Sequence, residues 1–229
     1  MVTLTNGDLL GLLGVYGYMT AAVILTSRLG ARMRSPRKML HILTGGIVFF
    51  WWSFDSKEVM AGAAALPFLI VLVLASPVSP IERLKRTPFG ARAAEGHPYG
   101  LVMYAASWTA IAYFMFDHLL AASIAVAAMS FGDGMGDLVG SRYGRIEYLK
   151  HRTLEGSVAV FAAVALAVVI LVWFYCGVIA DASAPPNNVA LFAIALAAFV
   201  TFVEAASPGK VDNLTVPLVT GIYLVLLGV

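Results

Sequence analysis

The sequence predicts an all-α fold: a polytopic transmembrane helical bundle of about eight spans, with its polar site at the cytoplasmic ends of the helices. Three observations predict it. The 229-residue chain is 60% hydrophobic, with a mean hydropathy of +0.86. Only 12% of it is charged, about half the usual share of a soluble domain. The cations also recur after every second apolar segment, as loops on one side of a membrane require.

Eight apolar segments can be marked in order: Leu9–Thr26, Leu40–Phe54, Val59–Ala75, Tyr99–Phe116, Leu119–Phe131, Gly156–Ile179, Val189–Ala205 and Leu214–Val229. A helix needs about 20 residues to bridge the hydrocarbon. The second and fifth segments are short, so they are expected to tilt, extend into their loops or break near the site. Residues Met1 to Gly7 lack the basic start of a secretory signal, so the first segment is expected to be retained. The single cysteine, Cys176, lies in an apolar run and leaves no disulfide framework. Nothing marks a second domain, and residues 1–229 read as one integral membrane domain.

Charge then orients the bundle. Arg28, Arg32, Arg34, Arg37 and Lys38 follow the first segment; Arg83, Lys85, Arg86 and Arg92 follow the third. Arg142, Arg145, Lys150 and Arg152 follow the fifth, and Lys210 follows the seventh. Alternating spans put all of these on one side and leave Lys57 on the other. The positive-inside rule makes that side cytoplasmic and places both termini opposite. The external connections are short, whereas the cytoplasmic ones carry the polar chemistry.

That chemistry centres on Phe131 to Gly144, sequence FGDGMGDLVGSRYG. Asp133 and Asp137 are four apart, so on a helix they share a face. Two acids held together at a membrane boundary need a compensating cation, and Mg²⁺ suits two hard oxygen ligands completed by substrate phosphates. The bland alternative is two solvated loop aspartates. Gly136, Gly140 and Gly144 recur every four residues and would also serve as a helix-packing ladder. Gly132 and Gly134 bracket Asp133 and suit close backbone approach to a phosphate.

The next polar groups are Lys150 and Arg152, followed by Thr153, Leu154, Glu155, Gly156 and Ser157. The two cations are phosphate candidates. Thr153 would cap a helix whose N-terminus attracts phosphate, and Glu155 would serve either the site or only the first-turn dipole. Glu204 ends an apolar span, which makes it a site candidate by depth. Asp212 and Asn213 open the last span as site residues or as a cap. His41 lies one turn from Lys38, at the depth of the other polar groups. All of them gather at one depth, which argues against a proton or ion path through the whole membrane.

Those residues resemble a known family. Asp133 to Gly144, then Lys150 to Ser157, look like the nucleotide-binding motif of the polyprenol kinases, which include dolichol, phytol and farnesol kinases. Arg37 to His41 resembles the Arg-Lys-x-x-His motif of the phytol kinase branch, and Asp212 to Pro217 its Asp-Asn-Leu-Thr-Val-Pro signature. Gly136 stands where the family usually has alanine. The resemblance implies CTP as phosphoryl donor, Mg²⁺ as the metal and a membrane-embedded isoprenoid alcohol as acceptor, with no nucleic acid partner. Asp133 and Asp137 would hold the metal, and Gly132, Gly134, Gly136, Gly140, Gly156, Lys38, Lys150, Arg152, Thr153, Glu155 and Asn213 would hold the nucleotide. His41, Glu204 and Asp212 compete as the base. A cytidylyltransferase-like CDP-lipid synthase and a small cation-coupled transporter are the competing readings.

Overall fold

The computed structural model describes residues 3–29, 36–77, 79–87, 90, 99–149, 152–180, 186–209 and 211–229. Each of the eight apolar segments carries a helix. These are α1 (Asn6–Leu29), α2 (Pro36–Thr44, continued as a 3-10 helix over Gly45–Ser53), α3 (Lys57–Ala75) and α4 (Gly100–Phe114). They continue with α5 (Leu119–Tyr143), α6 (Leu154–Val178), α7 (Val189–Ala206) and α8 (Asp212–Leu226). A small antiparallel hairpin of β1 (Glu147–Leu149) and β2 (Arg152–Thr153) joins α5 to α6. By length and composition α1, α3, α5, α6 and α7 suffice to cross a membrane; α4 and α8 are apolar but shorter.

The two short segments are resolved differently. The second becomes half 3-10 helix, which rises about 2.0 Å per residue against 1.5 Å in an α-helix. Nine residues of each reach about 31 Å, close to the hydrocarbon thickness. The fifth segment instead runs on: α5 continues past Phe131 to Tyr143, through a π-helical turn at Ala128–Asp133. The Asp- and Gly-rich motif is therefore helical, and the reading of its acids as loop aspartates does not hold.

Helix α5 is the axis of the bundle. It packs against α2, α4, α6, α7 and α8, and every residue from Leu120 to Ser130 is buried. A helix surrounded on all sides shows no apolar stripe. Its surface is mostly alanine and serine, which lets the surrounding helices approach closely. One polar bridge crosses the apolar middle: Ser123 Oγ donates to Tyr175 Oη at 2.8 Å, and Tyr175 Oη donates to the Val48 carbonyl at 2.6 Å. That chain fastens α5, α6 and the 3-10 part of α2.

The end remote from the polar site is closed by Asp8, which is fully buried. Thr5 and Asp8 form a capping box: Asp8 N donates to Thr5 Oγ1 at 3.0 Å, and Thr5 N to Asp8 Oδ2 at 3.2 Å. Asp8 Oδ1 also accepts from the backbone N–H groups of Asp55 and Ser56, at 3.1 and 3.2 Å. One carboxylate thus caps α1 and holds the α2–α3 turn. Asp8→Ala orphans those donors, at about 1–3 kcal/mol for a buried unsatisfied group. Thermal denaturation in detergent should show a lower midpoint for Asp8→Ala than for Asn6→Ala; equal midpoints would contradict the role.

Candidate active site

Successive helical residues are about 100° apart, which sorts the faces of α5. A Cβ on Gly132 or Gly136 would press on Val164 or Val160 of α6, and one on Gly134 would press on Ile42 of α2. Asp133 and Asp137 lie between these two faces and look out between α2 and α6. Gly140 of α5 crosses Gly156 of α6 so closely that a Cβ at Gly156 would sit 3.1 Å from the Gly136 carbonyl. Helix packing therefore accounts for the smallness of Gly132 and Gly134, which phosphate contact had been expected to explain.

The two acids converge on α2. Lys38 Nζ lies 2.9 Å from Asp133 Oδ2 and 2.6 Å from Asp137 Oδ2. Asp133 is 4% exposed and Asp137 47%, so one acid is sealed in the bundle and the other opens to the site. His41 Nε2 sits 3.4 Å from Asp133 Oδ2 and 3.2 Å from the Met129 carbonyl. A carbonyl only accepts, so Nε2 carries the proton. Met129 lies in the π turn, where the hydrogen-bonding register of the helix shifts.

Behind His41 is a polar cluster that the sequence reading missed. The His41 and Tyr104 rings are 4.5 Å apart. Thr44 Oγ1 donates to Tyr104 Oη at 2.7 Å, and Tyr104 Oη and Ser130 Oγ share a hydrogen bond of 2.8 Å. Ser130 was visible as a hydroxyl in an apolar run just before the motif. Tyr104 offered only an aromatic in a span, which packing explains equally well.

A second ionic cluster fastens the hairpin to α7 and α8. Arg152 pairs with the Glu204 carboxylate, donates to the Glu204 carbonyl at 3.2 Å and reaches Asp212 Oδ2 at 3.5 Å. Thr153 caps α6 by accepting from Gly156 N at 3.2 Å. Glu155 instead accepts from the backbone N–H groups of Arg145 and Ile146, at 3.0 and 3.4 Å, and so holds the hairpin. Asn213 donates from Nδ2 to the Gly100 carbonyl at 3.0 Å, and its own carbonyl accepts from Ser107 Oγ at 2.7 Å. It ties α8 to α4. Lys150 and Lys210 lie outside the described residues.

A cavity of about 1020 Å³ joins the two clusters. Lys38, Asp137, Arg152 and Glu204 line it, as do Gly136, Gly140, Thr153 and Gly156 where α5 crosses α6. Met39, Ile42 and Val160 give it an apolar wall. His41, Asp133, Asp212 and Asn213 stand behind the lining. Among the described residues no group of three or more His, Cys, Asp or Glu side chains forms a metal cage. Two oxygens converging on one cation remain, a set suited to a hard ion whose shell a ligand completes.

Apolar helices around a charged cavity at one end define the class: a helical membrane protein with a polar, ligand-sized site. The chain is 30% identical to phytol kinase of Synechocystis, over 90% of this chain and 86% of that protein. It is 30% identical to a probable chloroplastic phytol kinase 1 of Glycine max, over 93% of this chain and 74% of the relative. A probable chloroplastic phytol kinase of Zea mays is 27% identical over 93% of this chain. No family model matches, and no solved structure matches. The chain belongs to the phytol kinase family, and is a phosphotransferase with an alcohol as acceptor.

Removing one partner of a buried ion pair strands the others. Arg152→Gln leaves Glu204, 4% exposed, and Asp212 without their cation and should destabilise the protein by about 3 kcal/mol. Adding Glu204→Gln should restore part of the loss. Chemical denaturation in detergent measures both; a double variant no more stable than Arg152→Gln would count against the cluster as drawn.

Proposed function

We propose that this protein transfers the γ-phosphoryl group of CTP to an isoprenoid alcohol such as phytol, farnesol, geranylgeraniol or a longer polyprenol. The observation that carries the proposal is the shared cavity. It sets acids, the cations Lys38, Arg142 and Arg152 and a capped helix N-terminus around one polar volume, beside an apolar wall. The relatives named phytol kinase support the acceptor class. CTP rests on the resemblance of Asp133–Gly144 and Lys150–Ser157 to the polyprenol kinase motif. In this reading all eight helices cross the membrane, with the cavity facing the cytoplasm.

Asp133 and Asp137 would hold Mg²⁺, which supplies neutralisation of phosphate charge when bound. Among the described ion-paired groups, four carboxylates share Lys38 and Arg152, so these two clusters carry a net negative charge. Phosphoryl transfer draws its catalysis from positioning and electrostatic stabilisation. Lys38 and Arg152 are placed to meet developing negative charge, and the α6 N-terminus at Thr153 offers its amides to a phosphate. Of His41, Glu204 and Asp212, Glu204 is the one that lines the cavity. It takes the base role by position, orienting the acceptor hydroxyl and receiving its proton. Met39, Ile42 and Val160 would guide the prenyl chain while its hydroxyl stays at the polar rim.

Purified protein in detergent, given labelled CTP and a panel of lipid alcohols, tests the reading. Phosphorylated alcohol and CDP are expected. Pyrophosphate release with a phosphorylated acceptor would instead mean a CDP-lipid synthase. Asp133→Asn and Asp137→Asn should each lower turnover at least ~100-fold, the scale of losing one electrostatic contact to the transition state. Both variants should still elute as folded protein; near-normal activity in either would refute the metal assignment.

A further inference from the structure

Two carboxylates one helical turn apart leave a notch for a single cation, and a side chain fills it. Lys38 Nζ contacts Asp133 Oδ2 at 2.9 Å and Asp137 Oδ2 at 2.6 Å. A divalent ion held by the same two oxygens needs the same point in space, so ammonium and metal exclude one another. We propose that Lys38 is a resident stand-in for the divalent cation, displaced into the cavity when the metal arrives and taken up there by nucleotide phosphate. The proposal rests on the phosphotransferase reading for the identity of that anion, but the exchange itself does not.

Three features carry it. The first is charge. One ammonium leaves the aspartate pair with a net negative charge, which a divalent ion would cancel. The second is reach: Lys38 lines the cavity, is 19% exposed and opens α2 on a flexible four-carbon stem. Its Nζ therefore has an open volume to move into. The third is asymmetry. Asp133 is sealed against His41 and cannot follow the lysine, whereas Asp137 faces the cavity.

Exchange makes metal and nucleotide binding cooperative. Without nucleotide, an incoming metal must break both aspartate contacts and release an ammonium that meets no phosphate. With nucleotide present, the released ammonium meets a phosphate. The two ligands then favour one another through Lys38, and the coupling is reciprocal. Lysine suits this role better than arginine, because a compact ammonium fits between two single oxygens while a planar fork does not.

The experiment is a Mn²⁺ titration of the purified protein in detergent, without nucleotide, read by electron paramagnetic resonance. Lys38→Met should bind Mn²⁺ roughly tenfold more tightly than the wild type, within the range of ordinary coupling between sites. Adding Asp137→Asn should abolish the gain. Equal or weaker Mn²⁺ binding by folded Lys38→Met would overturn the exchange. Should that variant misfold, labelling of wild-type Lys38 by an amine reagent, followed by mass spectrometry, serves instead. Labelling should quicken as Mn²⁺ saturates, and an unchanged rate would overturn the proposal. The phosphotransferase reading fails separately, by absence of turnover with every alcohol in wild-type protein.

Discussion

Asp133 is the constraint on which the rest of the site depends. It sits on the most enclosed helix of the bundle, 4% exposed, where an unpaired carboxylate would cost several kcal/mol. Its environment answers that cost with the Lys38 ammonium in front, while His41 Nε2 packs 3.4 Å behind it. Both partners come from α2, so the start of α2 is fixed against α5 by electrostatics as well as packing. The π turn just before Asp133 contributes by presenting the Met129 carbonyl to the same His41 nitrogen. Local irregularity in α5 and the polarity of α2 are thus two parts of one arrangement.

The glycines serve that arrangement from the other face. Gly136 and Gly140 let α6 approach until Gly156 nearly touches the α5 backbone. This brings Thr153 and Arg152 to the cavity rim. A larger residue at either crossing point would push the α6 N-terminus away from Asp137. The four-residue glycine spacing that reads as a helix-packing ladder thus serves the site by positioning the helix end that lines the cavity. Packing and chemistry do not compete for these residues; packing is how they serve the chemistry.

Much of this was legible in the sequence because membrane helices leave strong signals. The eight helical segments followed from hydropathy, and the grouping of Lys38, Asp137, Arg152 and Glu204 followed from their equal depth at segment ends. What the pattern could not show was which polar residues face the cavity and which bind helices together. Asn213 and Glu155 read as site residues by motif, yet their hydrogen bonds go to Gly100 and to the hairpin backbone. Direction of a side chain depends on helix rotation, and a uniformly apolar helix carries no amphipathic stripe from which to read it. The 3-10 stretch of α2 was hidden for a related reason: Gly45–Ser53 reads simply as apolar, and an apolar run does not distinguish a 3-10 from an α-helical register.

The two ion clusters also differ in a way that bears on how the site works. The Lys38 cluster joins α2 to α5 within the bundle, and its aspartates project from one rigid helix. The Arg152 cluster joins a hairpin residue to the end of α7 and the start of α8, so its partners sit on three separate elements. The first is suited to holding fixed geometry around a cation. The second ties three elements together at the cavity wall. A nucleotide entering between them would draw on both, with Lys38 answering its charge and Arg152 fixing the wall against which it is held.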